Sequence, residues 1–199
     1  MIRLSRDAMR NSLGGLEFAS GIPGTVGGAV FMNAGAYGED MSKIVESVKV
    51  INSDLEIVTL SNKEMNYSYR TSILQDHLDY VCISATLKLY PADKDELERI
   101  MNERRETRMN TQPLNYPSAG SVFRNPEGDF AGRIIEEDLK FKGKQIGGAK
   151  ISEKHANFII NVDNATGTDI RELIKLIKEK VKEKDDIDLI VEQEFIDWE

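Results

Sequence analysis

The stretch "FASGIPGTVGGAVFMNAGAYG", residues 18–38, carries Gly21, Gly24, Gly27, Gly28, Gly35 and Gly38. Each ordered glycine gives up more backbone freedom than any other residue would, so this density constrains the fold. Either the chain turns through positive φ here, or something approaches the backbone closely enough to exclude a side chain. Bare peptide N–H groups suit a phosphate or a flat ring. The run is neither a Walker A loop, since no Gly-Lys-Ser/Thr follows, nor G-x-G-x-x-G. On these residues alone a plain structural turn and a ligand cradle both remain open.

Composition narrows the partners. A net charge of −8 and a pI near 5.0 argue against a general nucleic-acid binder. With Cys82 as its one cysteine, the chain has no internal disulfide framework, and a reducing compartment fits. No apolar run approaches the ~20 residues that span a bilayer, and the first residues lack the apolar core of a signal peptide. A cytoplasmic globular chain is expected, a monomer with neither nucleic acid nor membrane as partner.

The pattern along the chain is mixed. "LSRDAMRNSL" reads as a short helix stopped by Gly14 and Gly15. "SVKVINSDLEIVTLS" reads as two strands about a turn at Asn52–Asp54. "YVCISATLKLY" alternates, which puts Val81, Ile83, Ala85, Leu87 and Leu89 on one strand face. A helix is expected from Asp95 to about Arg108, then a linker in "MNTQPLNYPSAGS". A short helix around "FAGRIIEED" and a strand pair in "GGAKISEKHANFIINV" follow. The next helix, Asp169 to Lys184, takes Thr168 as its cap and Ile170, Leu173, Ile174, Ile177 and Val181 as its stripe. "IDLIVEQEFIDW" reads as a closing strand.

Taken whole, "GLEFASGIPGTVGGAVFMNAGAYG" resembles the flavin-binding segment of the UDP-N-acetylenolpyruvoylglucosamine reductase (MurB) family. The likeness continues in order. "YRTSIL" is similar to that family's Tyr-Arg-x-Ser element, and "QPLNYPSAGSVFRNP" to its Gln-Pro…Gly-Ser-x-Phe-x-Asn-Pro element. "IGGAKISEKHANFIIN" and the terminal "VEQEF" resemble its last two blocks, with Gln193 where the family has proline. Five ordered motifs over nearly the whole chain are far more specific than any one of them. The resemblance implies an α+β fold: a second FAD-binding domain over 1–111, to which 187–199 return, and a smaller α/β substrate-binding domain over 112–186. It also implies a further amino-terminal domain with its own phosphate loop, without which this chain would hold FAD only weakly. Little room is left after the Tyr-Arg element for the tyrosine-bearing loop of some members, so the loop-lacking type is expected.

The implied chemistry is reduction of UDP-N-acetylglucosamine enolpyruvate to UDP-N-acetylmuramate for peptidoglycan, with FAD as cofactor and NADPH as hydride donor. Negative charge that develops beside the carboxylate needs a fixed cation, and the α-carbon then needs a proton. By motif position Arg70 meets the first need, since a guanidinium can grip a carboxylate with two parallel bonds. The residues alone leave Ser118 and Ser121 as proton donors, and the motif register selects Ser121. Glu192 and Glu194 share a strand face, and the terminal motif selects Glu194. Tyr69 and Asn125 are implied as substrate contacts. Gly21, Ile22, Pro23, Gly24, Gly27, Gly28, Gly35, Ala36 and Tyr37 are implied as the FAD-binding set. No metal site is expected, because His155 has no second ligand at suitable spacing, and Cys82 reads as a small buried hydrophobe. The alternative is a truncated, non-catalytic fragment retaining only weak UDP-sugar binding.

Overall fold

The computed structural model describes residues 1–196. The fold is α+β and divides into two compact units, Met1–Arg108 and Met109–Glu199. The first opens with α1 (Ile2–Arg10), which stops short of the expected glycines. Ser12 takes φ 57° and Gly15 φ 115°, so the chain has already turned before Gly15 is reached. Thr25 starts α2 (Val26–Phe31) by accepting the Gly28 N–H at 3.0 Å.

A three-stranded antiparallel sheet follows, with β1 (Val45–Ile51) between β2 (Ile57–Ser61) and β3 (Val81–Leu87). The β1–β2 turn forms because Asn52 Oδ1 accepts the N–H groups of Asp54 and Glu56 at 3.1 and 2.9 Å. The expected face of β3 is corrected by a bulge. Lys49 pairs with Ser84 and Val50 with Cys82, so the register skips Ile83. The inward set is therefore Cys82, Ala85, Leu87 and Leu89, while Val81 and Ile83 face water. Val48, Val50, Met41, Phe18, Met65 and Leu74 fill the core beneath.

Helix α3 (Lys94–Thr111) begins where Asp93 Oδ1 accepts the Glu96 N–H at 2.9 Å, and it runs through the first residues of the expected linker. In the second unit β4 (Ser118–Ser121), β5 (Gln145–Ile146), β6 (Ala149–Ile151) and β7 (Phe158–Asn161) form an antiparallel sheet in the order β4-β7-β6-β5. Between β4 and β5 lies α4 (Ala131–Arg133), which runs on into a π-helical turn, Ile134–Asp138. Helix α5 (Gly167–Asp185) packs Leu173, Ile174, Ile177 and Val181 onto this sheet. Its cap is Thr166, not Thr168. Thr166 and Asp169 exchange side-chain-to-backbone bonds as a capping box, at 3.1 and 2.9 Å.

The closing segment pairs within the second unit, where a return to the first had been expected. Val191 bridges antiparallel to Phe123, Arg124 N–H donates to Ile190 O, and Glu192 N–H to Val122 O. The cause is apolar. Leu189 is buried and Ile187 and Val191 half-buried in the second core, so that core takes up the inward face of the segment. It is a single bridge, not a full strand, as far as Ile196; residues 197–199 lie outside the described residues.

Candidate active site

In the first unit the Tyr-Arg element is a tight turn. Ser68 and Thr71 exchange both backbone hydrogen bonds at 3.1 Å, with Tyr69 and Arg70 as the loop. Arg70 sits at φ 55°, which a non-glycine residue adopts only when its surroundings hold it there. They do so densely. Arg70 Nη2 donates to Gly35 O at 2.8 Å, its guanidinium lies 5.0 Å over the Tyr69 ring, and Gln75 Nε2 donates to Arg70 O at 3.0 Å. Gln75 and Ser72 Oγ both also donate to Phe31 O, the end of α2, at 3.0 and 2.7 Å. Buried Asn33 completes the clamp by donating to Ser68 O and accepting the Ser42 N–H, each at 2.9 Å.

The glycine-rich segment answers its own question residue by residue. Gly38, at φ 77°, follows Tyr37 at φ 58° in a two-residue hairpin turn, the pairing that a type I′ turn requires. A Cβ on Gly35 would stand 2.6 Å from Asp40 Cβ, so that glycine serves packing. Gly24 and Gly27 are different. A Cβ there meets nothing nearer than 3.9 Å, so the chain's own packing does not exclude a side chain. Gly24 precedes α2 and Gly27 lies in its first turn, where Thr25 Oγ1 takes the Gly28 N–H. Arg108 lies 3.2 Å from the Cβ position of Gly21, half-buried, and burial lowers its pKa. Arg104 stacks 4.8 Å over Tyr37, and its buried Nη1 has no hydrogen-bond partner among the described residues. Open backbone at Gly24 and Gly27 and the arginines at Gly21 and Tyr37 fit a large anionic cofactor with a flat ring, as FAD is.

In the second unit Ser121 and Asn125 line one cleft of about 610 Å³, with Arg133, Lys154, His155 and Asn157. Asn125 Oδ1 accepts the Ala131 N–H at 3.2 Å, which leaves its amide to donate. Arg133 is tied to Asp129 and Asp138, so it is already neutralised. Burial, with help from Lys142, pushes the His155 pKa down against the opposing pull of Glu136. Past the antiparallel bridge at Val191, the Glu192 N–H still reaches Val122 O, and the Phe195 ring lies 6.0 Å from the Arg171 guanidinium of α5. Glu194 is exposed and Glu192 half-buried. Arg70 and Tyr69 thus belong to one unit, and Ser121, Asn125 and Glu194 to the other.

The fold favours neutral His155, so its contribution to stability is whole above the unfolded imidazole pKa of about 6.5 and is lost as pH falls below it. Wild-type melting temperature is expected to drop more steeply from pH 7 to pH 5 than that of His155→Gln. Parallel slopes would refute this.

Comparison with known proteins matches residues 112–196 to the C-terminal domain of UDP-N-acetylenolpyruvoylglucosamine reductase and residues 2–61 to an FAD binding domain. A Bacillus licheniformis protein described as UDP-N-acetylenolpyruvoylglucosamine reductase is 49% identical over 181 residues, 91% of this chain and 98% of that one. This chain belongs to the UDP-N-acetylenolpyruvoylglucosamine reductase family. The crystal structure of the reductase (MurB) from Thermus caldophilus aligns with a TM-score of 0.85 at 36% identity, over 96% of this chain and 68% of that one. The reductase of Anoxybacillus flavithermus is 48% identical over 98% of this chain. The chain spans 65% of that relative's length, about two thirds of the curated relatives it matches first.

Sequence reasoning passed over Asn33, Gln75 and Asn157. Their partners lie far away along the chain (Ser68, Phe31 and Phe123), and no local pattern marks them. The buried Asn33, inside the glycine-rich run, was the one with a signal, since a polar residue amid "AVFMNAGA" needs partners.

Proposed function

We propose that this chain carries the reaction of its family, reduction of UDP-N-acetylglucosamine enolpyruvate to UDP-N-acetylmuramate in peptidoglycan synthesis. Gly21, Ile22, Pro23, Gly24, Gly27, Gly28, Gly35, Ala36 and Tyr37 would hold FAD, which, reduced by NADPH, would supply the hydride for the enolpyruvyl β-carbon. Arg70 grips the substrate carboxylate and stabilises the charge that spreads into it. The Ser121 hydroxyl gives its proton to the α-carbon, and Glu194 organises the donor's hydrogen bonds. Tyr69 and Asn125 orient the substrate. The setting is the cytoplasm, with the protein a monomer.

The observation that carries this reading is the shared cleft of Ser121 and Asn125, the pair assigned to substrate. The test supplies FAD in excess, with NADPH and UDP-N-acetylglucosamine enolpyruvate, and follows the sugar nucleotide by mass spectrometry. A product heavier by two hydrogens, dependent on both NADPH and FAD, is expected. Unchanged substrate in a preparation shown by fluorescence to be FAD-saturated would overturn it.

A further inference from the structure

Strand β7 starts at Phe158, opposite Ser121, so beyond Ser121 the first edge of the Ser121–Asn125 segment has no strand to pair with. The chain before Phe158 turns away: Phe158 N–H donates to His155 O at 3.0 Å, and Asn157 N–H to His155 Nδ1 at 3.3 Å. The Asn157 side chain takes the place of the missing strand. Its Oδ1 accepts the Phe123 N–H at 2.9 Å, and its Nδ2 donates to Phe123 O at 2.8 Å. Val122 N–H donates to Asn157 O at 2.9 Å. The carboxamide therefore presents one donor and one acceptor to one residue, as a neighbouring strand would. Asn157 is 3% exposed and Phe123 1%, so water does not compete. On the opposite edge the closing segment holds Arg124 and Val122 through Ile190 O and the Glu192 N–H.

We infer that Asn157 is a positioning residue: its carboxamide fixes Phe123 in a strand it would otherwise leave, and so sets where Ser121 and Asn125 present their side chains. The inference rests on the substrate reading of those two residues. An apolar side chain at 157 would leave a buried N–H and a buried C=O unmatched, which is worth roughly a ten- to hundredfold change in a local equilibrium. An aspartate would accept from the Phe123 N–H, but its second oxygen would face Phe123 O with like charge until protonated.

That asymmetry gives the experiment. Amide exchange is measured by NMR on ligand-free wild type and Asn157→Asp, with protection factors compared at pH 8 and pH 5. At pH 8 the variant's Phe123 amide should lose roughly ten- to hundredfold protection, with altered Ser121 and Asn125 resonances. Both should recover at pH 5, while α5 and β6 amides stay as in wild type. Affinity for UDP-N-acetylglucosamine enolpyruvate, by calorimetry, should fall and recover on the same pH course in the variant only. Unchanged Phe123 protection, or protection lost equally across α5 and β6, would overturn the inference. Should the aspartate variant not fold at pH 8, Asn157→Ser, whose one short hydroxyl replaces the carboxamide's separate donor and acceptor atoms, is read at a single pH against the same criteria. A wild-type chain that binds no UDP-sugar while showing the exchange pattern would instead sink the substrate reading and leave the positioning of the segment standing.

Discussion

Gly148→Ala is expected to cost the second unit more than about 3 kcal/mol, beyond ordinary overpacking, because the clash is with backbone. The new Cβ would overlap the Asp163 carbonyl oxygen and stand 2.5 Å from Ala165 N and 2.7 Å from Ala165 Cα. Neither neighbour can give way cheaply. Gly148 O accepts the Val162 N–H at 3.0 Å, and the Gly148 N–H donates to Asp169 Oδ2 at 3.2 Å, the same carboxylate that caps α5. A methyl group there pushes the end of β7 and the start of α5 apart together. For a unit of this size the melting temperature should fall by more than about 10 °C. Gly38→Ala is the control. Its φ of 77° is strained for alanine, but nothing lies within 4 Å of the added atom, so only about 1 kcal/mol is expected. Calorimetric melts that rank the two variants alike would refute the steric account.

Ser121→Ala should separate the two halves of the proposed reaction. In flavin-loaded protein, bleaching of the flavin by NADPH is expected to proceed at the wild-type rate, since no proton from Ser121 is involved. Formation of UDP-N-acetylmuramate should slow by roughly a hundred- to ten-thousandfold, the range for losing a positioned proton donor. Substrate affinity should change little, because Asn125 and the rest of the cleft remain. Equal slowing of both halves would mean that the substitution had disturbed the fold, not the proton.

The strongly periodic elements were legible in sequence because the signal is local. The stripe from Leu173 to Val181 gave α5 within two residues at either end. What failed was decided by single residues of context. Thr168 looked like the cap, yet the Thr166–Asp169 spacing of a capping box was already in the sequence and should have won. The bulge at Ile83 could not be read, since alternation alone cannot reveal that β1 pairs past one residue of β3. The closing segment was assigned to the first unit on family resemblance, while its own apolar face pairs it with Phe123. For the candidate site, Arg70, Ser121, Asn125 and Glu194 came from motif register. The groups that hold the Arg70 turn and the Ser121–Asn125 segment act across more than thirty residues; Gln75 and Asn157 carry no local mark, and Asn33 shows only as a polar residue in an apolar run.

The bulge in β3 also bears on how the protein behaves in concentrated solution. By turning Val81 and Ile83 outward, it aligns them with Ile57 and the half-buried Ile51 as an oily stripe across one sheet. Stripes of this kind draw molecules together, and what opposes them at neutral pH is mutual repulsion between chains carrying −8 each. That repulsion fades as acid titrates the carboxylates toward the pI near 5.0. Mildly acidic, salty buffers are thus the conditions under which this sheet face, and not the Arg70 turn or the cleft that bears Ser121, governs whether the protein stays dispersed.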